Sequence, residues 1–430
     1  MLTREENEYL CRIGPGTAMG NVMRRYWVPA IQRQDLPAAD GDPVPFQVLG
    51  ERLVAFRDSE GRVGVLEEAC CHRGASLALG RVEDCGIRCL YHGWKFGVDG
   101  RIQETPNMPD SKFKERVRAP SYPVREAGGL VWVYMGPSDR MPPFPAYNWL
   151  GGPGDEHFVR EMVVSCNWAQ VLEGLLDSSH VGVLHRDEMA QITAGRYNDT
   201  TTGGDGYPTT DNAPKIEVRN TDFGFDYAAI RSRSDGGDGS YVRVTAFMMP
   251  FFCYIPPRNS PRAAIVVPRD DVTTSQFSVT LLDGASDVAT LQELLGFGDA
   301  EVLGPDRRVR VPPQDRGAMA RGESFAGIPG IPIQDVAVQE SMGPLYDRSR
   351  EHVVPADLAV LRMRRLFLAA AAQVEAGEDP VGLDRAVDTG AIDRFGGIVP
   401  PGARWQDMVP GNQALDTTGS SRADRIETRA

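Results

Sequence analysis

At 430 residues the chain is long enough for two or three domains, and 41% hydrophobic with 24% charged residues is the composition of a globular protein, not a disordered or fibrous one. A net charge of −13 argues against nucleic acid and anionic membrane surfaces as partners, and no apolar run reaches the roughly 18 residues of a membrane span. Seven thinly spread cysteines do not make a disulfide framework, and the start Met1-Leu-Thr-Arg-Glu-Glu-Asn lacks the regions of a signal peptide, so a cytoplasmic location is expected. Only six histidines occur, and four of them, His72, His92, His180 and His185, fall in two pairs with the spacing of metal ligands.

In chain order, residues 1 to 40 predict a short helix near Thr3 to Arg12, then Gly-Pro-Gly and Met23-Arg-Arg-Tyr-Trp27-Val-Pro, where Tyr26 and Trp27 read as packing residues. From about residue 43 come short strands with turn punctuation: Phe46 to Leu49, Leu53 to Phe56, Val63 to Leu66, Lys95 to Val98 before the Asp99-Gly100 turn, and Val124 to Ala127 before Gly128-Gly129 and Leu130 to Tyr134. This pattern indicates an antiparallel all-β module. Within it stand Cys70-Cys71-His72 and Cys89-Leu90-Tyr91-His92. Two Cys-His pairs can hold one iron by thiolates and the other by imidazoles, which is the ligand set of a Rieske [2Fe–2S] centre. Cys₂His₂ ligation also suits zinc, but zinc fingers usually pair Cys with Cys and His with His. Cys71 and Cys85 lie outside the spacing and read as small buried side chains.

After a Pro-rich stretch at 141 to 147, Val163 to Trp168 reads as a strand running into a helix that carries Gln170, Leu172, Leu175 and Leu176, and then Asp177-Ser-Ser-His180-Val-Gly-Val-Leu-His185. On an undistorted helix the two histidines would stand about 140° apart. The helix is therefore expected to end or distort at Gly182 and swing His185 round to join His180. Residues 190 to 215 read as a long loop, a candidate lid. Alternating runs at Tyr241 to Met249, Ala263 to Pro268 and Gln276 to Leu282 predict an antiparallel sheet. A Gly- and Pro-broken region from 304 to 334, Asp335 to Glu340, a helix near Pro355 to Gly377 and a polar tail from about 411 complete the chain.

The paired motifs Cys70-x-His72 … Cys89-x₂-His92 and Asp177-x₂-His180-x₄-His185 resemble the oxygenase component of Rieske non-haem iron aromatic-ring oxygenases. The phthalate dioxygenase-like branch is resembled in Met23-Arg-Arg-Tyr-Trp-Val-Pro, His72-Arg-Gly-Ala-Ser-Leu, Tyr91-His-Gly-Trp-Lys-Phe, Asn167-Trp-x-Gln and Gln339-Glu-Ser-Met-Gly. Cys71 departs from a proline common in that family and leaves the ligand positions unchanged. The resemblance implies an α+β fold. A segment at 1–42 packs on the catalytic domain, a Rieske all-β domain spans 43–147, a helix-grip catalytic domain spans 148–410 with a curved antiparallel sheet around a long helix, and a tail follows at 411–430.

The resemblance also implies a [2Fe–2S] cluster on Cys70, His72, Cys89 and His92, and a mononuclear Fe(II) held by His180, His185 and a distant carboxylate. Asp335 fits that carboxylate best, with Glu340 and Asp347 as weaker candidates; two histidines and one carboxylate leave positions open for O₂. Asp177 matches the family's bridging aspartate, which joins a Rieske histidine of a neighbouring subunit to His180 and so implies a head-to-tail homotrimer or a multiple of it. Electrons come from NAD(P)H through a separate ferredoxin-type reductase, because no dinucleotide fingerprint follows a strand here. The substrate expected is an aromatic acid or related compound, attacked at the ring or at a diaryl ether; O-demethylation of a methoxylated aromatic is the alternative. Arg243 and Arg196 are candidates to pair a substrate carboxylate, and Ser178 and Ser179 adjoin the iron helix. A Rieske electron carrier without oxygenase activity and a zinc-stabilised binding protein are the readings from other classes.

Overall fold

The computed structural model describes residues 2–36, 38–109, 112–152, 155–193, 211–256, 262–282, 303–304, 306–383 and 387–415. Most of the loop expected at 190 to 215, Arg196 included, and the tail beyond 415 lie outside them. The first residues of the expected tail are pinned: Ala414 bridges Thr221, and Leu415 N donates to Asn220 O. Among the described residues no helix is long and apolar enough to cross a membrane.

The first helix, α1 (Arg4–Cys11), starts where a capping box allows it. Thr3 Oγ1 accepts from Glu6 N, and Thr3 N donates to Glu6 Oε2 at 2.8 Å. Helix α2 (Ala18–Met23) follows, and Tyr26 and Trp27 are both buried. The N-terminal half then forms three small antiparallel sheets. One orders β1 (Trp27–Gln32), β10 (Leu130–Tyr134) and β9 (Val124–Ala127); another holds β2 (Val44–Val48), β3 (Glu51–Arg57) and β4 (Val63–Glu67). The third runs β5 (Arg81–Glu83), β6 (Gly86–Arg88), β7 (Lys95–Phe96) and β8 (Ile102–Glu104). Gly128 and Gly129 both have positive φ, so the two-residue turn between β9 and β10 matches the right-handed strand twist.

The C-terminal half is built on one antiparallel sheet. Its order is β11 (His157–Val164), β17 (Thr274–Leu281), β16 (Arg262–Pro268), β15 (Phe252–Tyr254), β14 (Ser240–Met248), β13 (Gly224–Arg231) and β12 (Lys215–Thr221), with β18 (Phe395–Val399) also on β14. The helix Leu358–Glu375 packs on this sheet through Phe367, whose ring lies 6.0 Å from that of Phe247 and 4.7 Å from that of Trp168. This is the α+β arrangement expected. The N-terminal segment touches both halves, since β1 pairs with β10 and α2 packs on Leu358–Glu375.

The β2–β3 hairpin tip joins the halves. Leu49 has φ 49°, a costly conformation for a branched side chain, yet its side chain is fully buried. Leu49 N and Gly50 N donate to Pro268 O and Arg269 O at the end of β16. Burial and two hydrogen bonds offset the strain.

Helix α3 (Trp168–Leu176) is clamped at every turn. Its N-cap Asn167 accepts from Ala169 N and donates to Cys11 O and Asp271 O. Gln170 donates to Gln339 O and Gly343 O and accepts from Tyr346 N. Glu173 pairs with Arg348 through two oxygens, at 2.7 and 2.9 Å, and with Arg364 at 2.7 Å. Arg348 is fully buried and Arg364 is 4% exposed, so Glu173→Ala takes the paired carboxylate from the buried Arg348 and leaves Arg364 with Glu351 alone. Chemical denaturation should show a loss of about 3–5 kcal/mol; a change under about 1 kcal/mol would mean the network does not hold α3.

Candidate metal centres and substrate cavity

The two Cys-His segments fold into matching knuckles. Gly74 N donates to Cys70 O and Gly93 N to Cys89 O, while Cys70 N and Cys89 N donate to Ala75 O and Trp94 O. In each, the glycine four residues after the cysteine takes a left-handed conformation, at φ 75° and 72°. The cysteines are buried at 3% and 2% exposure, and the imidazoles converge with ring centroids 4.6 Å apart. His72 stacks on Trp94 at 4.4 Å, and Trp94 Nε1 donates to Asn107 Oδ1. Burial, together with the adjacent Cys89, pushes the Cys70 thiol up to about 12, so a cation is what draws a thiolate from it. His92 Nδ1 is buried with no hydrogen-bond partner among the described residues. Two buried sulfurs, two converging rings and an orphaned ring nitrogen fit an iron–sulfur cluster.

Cys71 corrects the sequence reading: it is exposed, and Cys85 is only half-buried. Each knuckle turns one face to the apolar cluster containing Cys70, Leu77, Ile87 and Cys89 and its apex to solvent, and Cys71 lies at the apex.

The second pair also folds differently from expectation. The helix ends at Leu176 rather than distorting at Gly182, because Asp177 turns extended (φ −81°, ψ 115°). Its Oδ1 takes the backbone N–H and hydroxyl of Ser179 at 2.7 and 2.6 Å, a local turn that competes with helix. A one-turn helix, α4 (Val181–Leu184), then spaces His180 from His185, and α5 (Arg186–Thr193) follows. The histidine rings end 5.0 Å apart at 81°. Ser178 lines the cavity, and its backbone and hydroxyl oxygens accept from the buried Arg231.

Asp335, on the helix Ile331–Ser341, completes the group: His180, His185 and Asp335 have donor atoms within 4.8 Å of one another. Asp335 Oδ1 lies 2.9 Å from His185 Nε2 and 3.5 Å from His180 Nε2. Adjacent ligands of a metal at about 2.1 Å would sit about 3.0 Å apart, so the donor set fits one ion. His185 Nδ1 faces Gln334 Oε1 at 2.7 Å, which leaves the lone pair of the neutral ring at Nε2, opposite the carboxylate. Two lone-pair donors that face each other suit a cation between them. Burial lowers the basicity of His180, but the Asp177 and Asp335 carboxylates outweigh it and raise its pKa to about 10. Asp177 Oδ2 stands 3.3 Å from His180 Nδ1. The weaker carboxylate candidates are engaged elsewhere: Glu340 accepts from Ser165 N, and Asp347 caps the turn at Ser349.

Above this group opens a cavity of about 240 Å³. His180, His185 and Asp335 form one wall, Leu175, Val181, Ile255 and Val279 supply apolar surface, and Arg243 and Arg262 stand among the polar lining. Burial and the like charges of Arg394 and Arg243 push Arg262 down to about 9, which still leaves it cationic at neutral pH. Arg262 escaped the sequence reading because it opens a strand, where an arginine is normally solvent-facing.

Two family models match, the Rieske [2Fe-2S] domain over residues 26–123 and the LigXa C-terminal domain like family over residues 133–425. The phthalate 4,5-dioxygenase oxygenase subunit of Pseudomonas putida is 39% identical, over 95% of this chain and 94% of that one. The chain belongs to the Rieske oxygenase family. This Rieske oxygenase subunit is also 37% identical to the 3-chlorobenzoate-3,4-dioxygenase oxygenase subunit of Comamonas testosteroni, over 90% and 93% of the two chains. Its fold is shared with NdmA of Pseudomonas putida CBB5, at TM-score 0.58 and 19% identity over 86% and 99%. Relatives that cover 90% or more of the chain and are oxygenase subunits set aside the electron-carrier and zinc-protein alternatives.

The knuckle glycines of this oxygenase differ in surroundings. A Cβ on Gly93 would lie 3.1 Å from Pro106 Cγ, whereas one on Gly74 meets nothing within 4 Å. Gly74→Ala should cost only the left-handed strain of about 1–2 kcal/mol, and Gly93→Ala more. Loss of cluster absorbance on heating should come at a lower temperature for Gly93→Ala; the reverse order would contradict this packing.

Proposed function

We propose that this oxygenase subunit hydroxylates a single-ring aromatic carboxylate with O₂, taking its electrons from a separate ferredoxin-type reductase. The observation that carries this reading is one cavity with His180, His185 and Asp335 on one wall and Arg243 and Arg262 in its lining. At about 240 Å³ it lies just below the usual range of ligand pockets, about 300–1,000 Å³, and so favours one ring over a biaryl. The relatives named for phthalate and 3-chlorobenzoate act on substrates of that chemistry.

In this reading Cys70, His72, Cys89 and His92 hold the [2Fe–2S] cluster, and His180, His185 and Asp335 hold a mononuclear Fe(II). The iron supplies O₂ activation when bound. The chain's own residues do the rest. Arg243 and Arg262 offer a carboxylate charge-assisted hydrogen bonds and thereby orient the ring. The apolar wall excludes water from the reacting face. Asp177 holds the His180 ring through Nδ1 and keeps 29% of its side chain exposed, a surface free to receive the partner subunit's His92. The Rieske tip exposes Leu79, Leu90 and Tyr91 at 70%, 60% and 56%, apolar surface of the kind an interface covers. These features favour a head-to-tail homotrimer, or a multiple of it, in the cytoplasm. Cysteines that are all free of disulfides agree with that compartment.

Two measurements test the reading. Asp177→Asn should keep both metals yet lower product formation by about 100-fold or more, since it weakens the link between centres without removing a ligand; normal turnover would contradict it. Arg262→Leu should lower kcat/KM about 10- to 100-fold for aromatic carboxylates, the worth of a hydrogen bond to a charged group, and change it little for the methyl esters. Equal losses on acid and ester would remove Arg262 from substrate recognition.

A further inference from the structure

The geometry points to Gln334 as the positioning residue that fixes the tautomer and orientation of His185, with Glu188 as its anchor. The inference rests on the iron site proposed above. Gln334 is 1% exposed and sits directly before Asp335, so one turn of helix presents both the carboxylate and the group that steers the opposing imidazole. Its amide is fully engaged. Gln334 Nε2 donates to Ile328 O at 2.7 Å and to Glu188 Oε1 at 2.7 Å, and Oε1 faces His185 Nδ1 at 2.7 Å. The backbone carbonyl of Ile328 can only accept, so the amide cannot be turned over without setting two oxygens against each other. With Oε1 held there, Nδ1 carries the proton and Nε2 carries the lone pair on the metal side.

Glu188 gives this chain a charged end. It lies three residues after His185, in the first turn of α5, and its Oε2 is buried without a hydrogen-bond partner among the described residues. The order carboxylate, amide, imidazole therefore carries negative charge toward His185 through a neutral intermediary. His180 receives the same service directly from the Asp177 carboxylate. The two iron histidines are thus oriented differently: His180 by an acidic group half open to a neighbour, His185 by a relay closed inside the subunit. Partners of this kind raise ligand basicity and set ring direction, and their loss typically weakens metal binding about 10- to 100-fold.

The test is anaerobic Fe(II) titration of protein whose Rieske cluster is intact and whose second site has been emptied, with the cluster's visible spectrum as a folding control. Gln334→Leu should weaken Fe(II) binding about 10- to 100-fold with the spectrum unchanged. Cobalt-loaded native protein should show a slowly exchanging, paramagnetically shifted His185 Nδ1–H resonance that Gln334→Leu abolishes. If Gln334→Leu does not fold, Glu188→Ala stands in, with an expected several-fold loss. Native-like affinity in Gln334→Leu, or in its stand-in, together with a lost site in His185→Ala, would overturn the relay and leave the iron reading intact. An unchanged site in His185→Ala would overturn both.

Discussion

The catalytic half depends on the contact between α3 and the helix Ile331–Ser341. His180 and His185 follow α3, Asp335 stands on the other helix about 150 residues later, and three donors can meet only if those two segments are held in register. Gln170 reaches across to the carbonyls of Gln339 and Gly343, and Gly174 leaves room for the Gln339 side chain, whose Nε2 a Cβ there would meet at 2.4 Å. Glu173 ties the same face to Arg348 and Arg364. The metal group is a consequence of that clamp. The end of α3 carries Gly174, Leu175 and Asp177 to the cavity edge, so the cavity and the candidate metal group share one frame.

The Rieske half solves the convergence problem by a different route. Its four candidate ligands sit in two short loops of nearly identical backbone hydrogen bonding, so rigidity comes from local turns and needs no long-range clamp. One joint between the two halves is the β2–β3 hairpin tip, where Leu49 accepts an unfavourable backbone conformation against the end of β16. A strained residue that persists at a junction is one the surroundings over-determine.

Much of this was legible in the sequence, for identifiable reasons. Short strands broken by Gly-Gly and Asp-Gly carry their own turn chemistry, and mixed Cys-His pairs limit the metal choices. In the sequence Gly182 looks the weak point of the helix, but Asp177 and Ser179 satisfy one another first and the helix stops at Leu176. Composition favours a buried Cys71, while knuckle geometry puts that position at the exposed apex. The Glu173–Arg348–Arg364 network, Arg262 in the cavity and the Gln334–Glu188 pair were not legible. Each joins residues far apart in the chain through contacts that only tertiary structure creates, and no local pattern marks them.

The central claim is that one polypeptide holds a Rieske cluster and a second, separate iron at His180, His185 and Asp335. Iron and acid-labile sulfide measured together on anaerobically purified protein test it most directly. The account predicts about three irons and two sulfides per chain, falling to about two and two when Asp335 is replaced by alanine. Two irons and two sulfides in the native protein after Fe(II) reconstitution, or a stoichiometry that Asp335→Ala leaves unchanged, would contradict it.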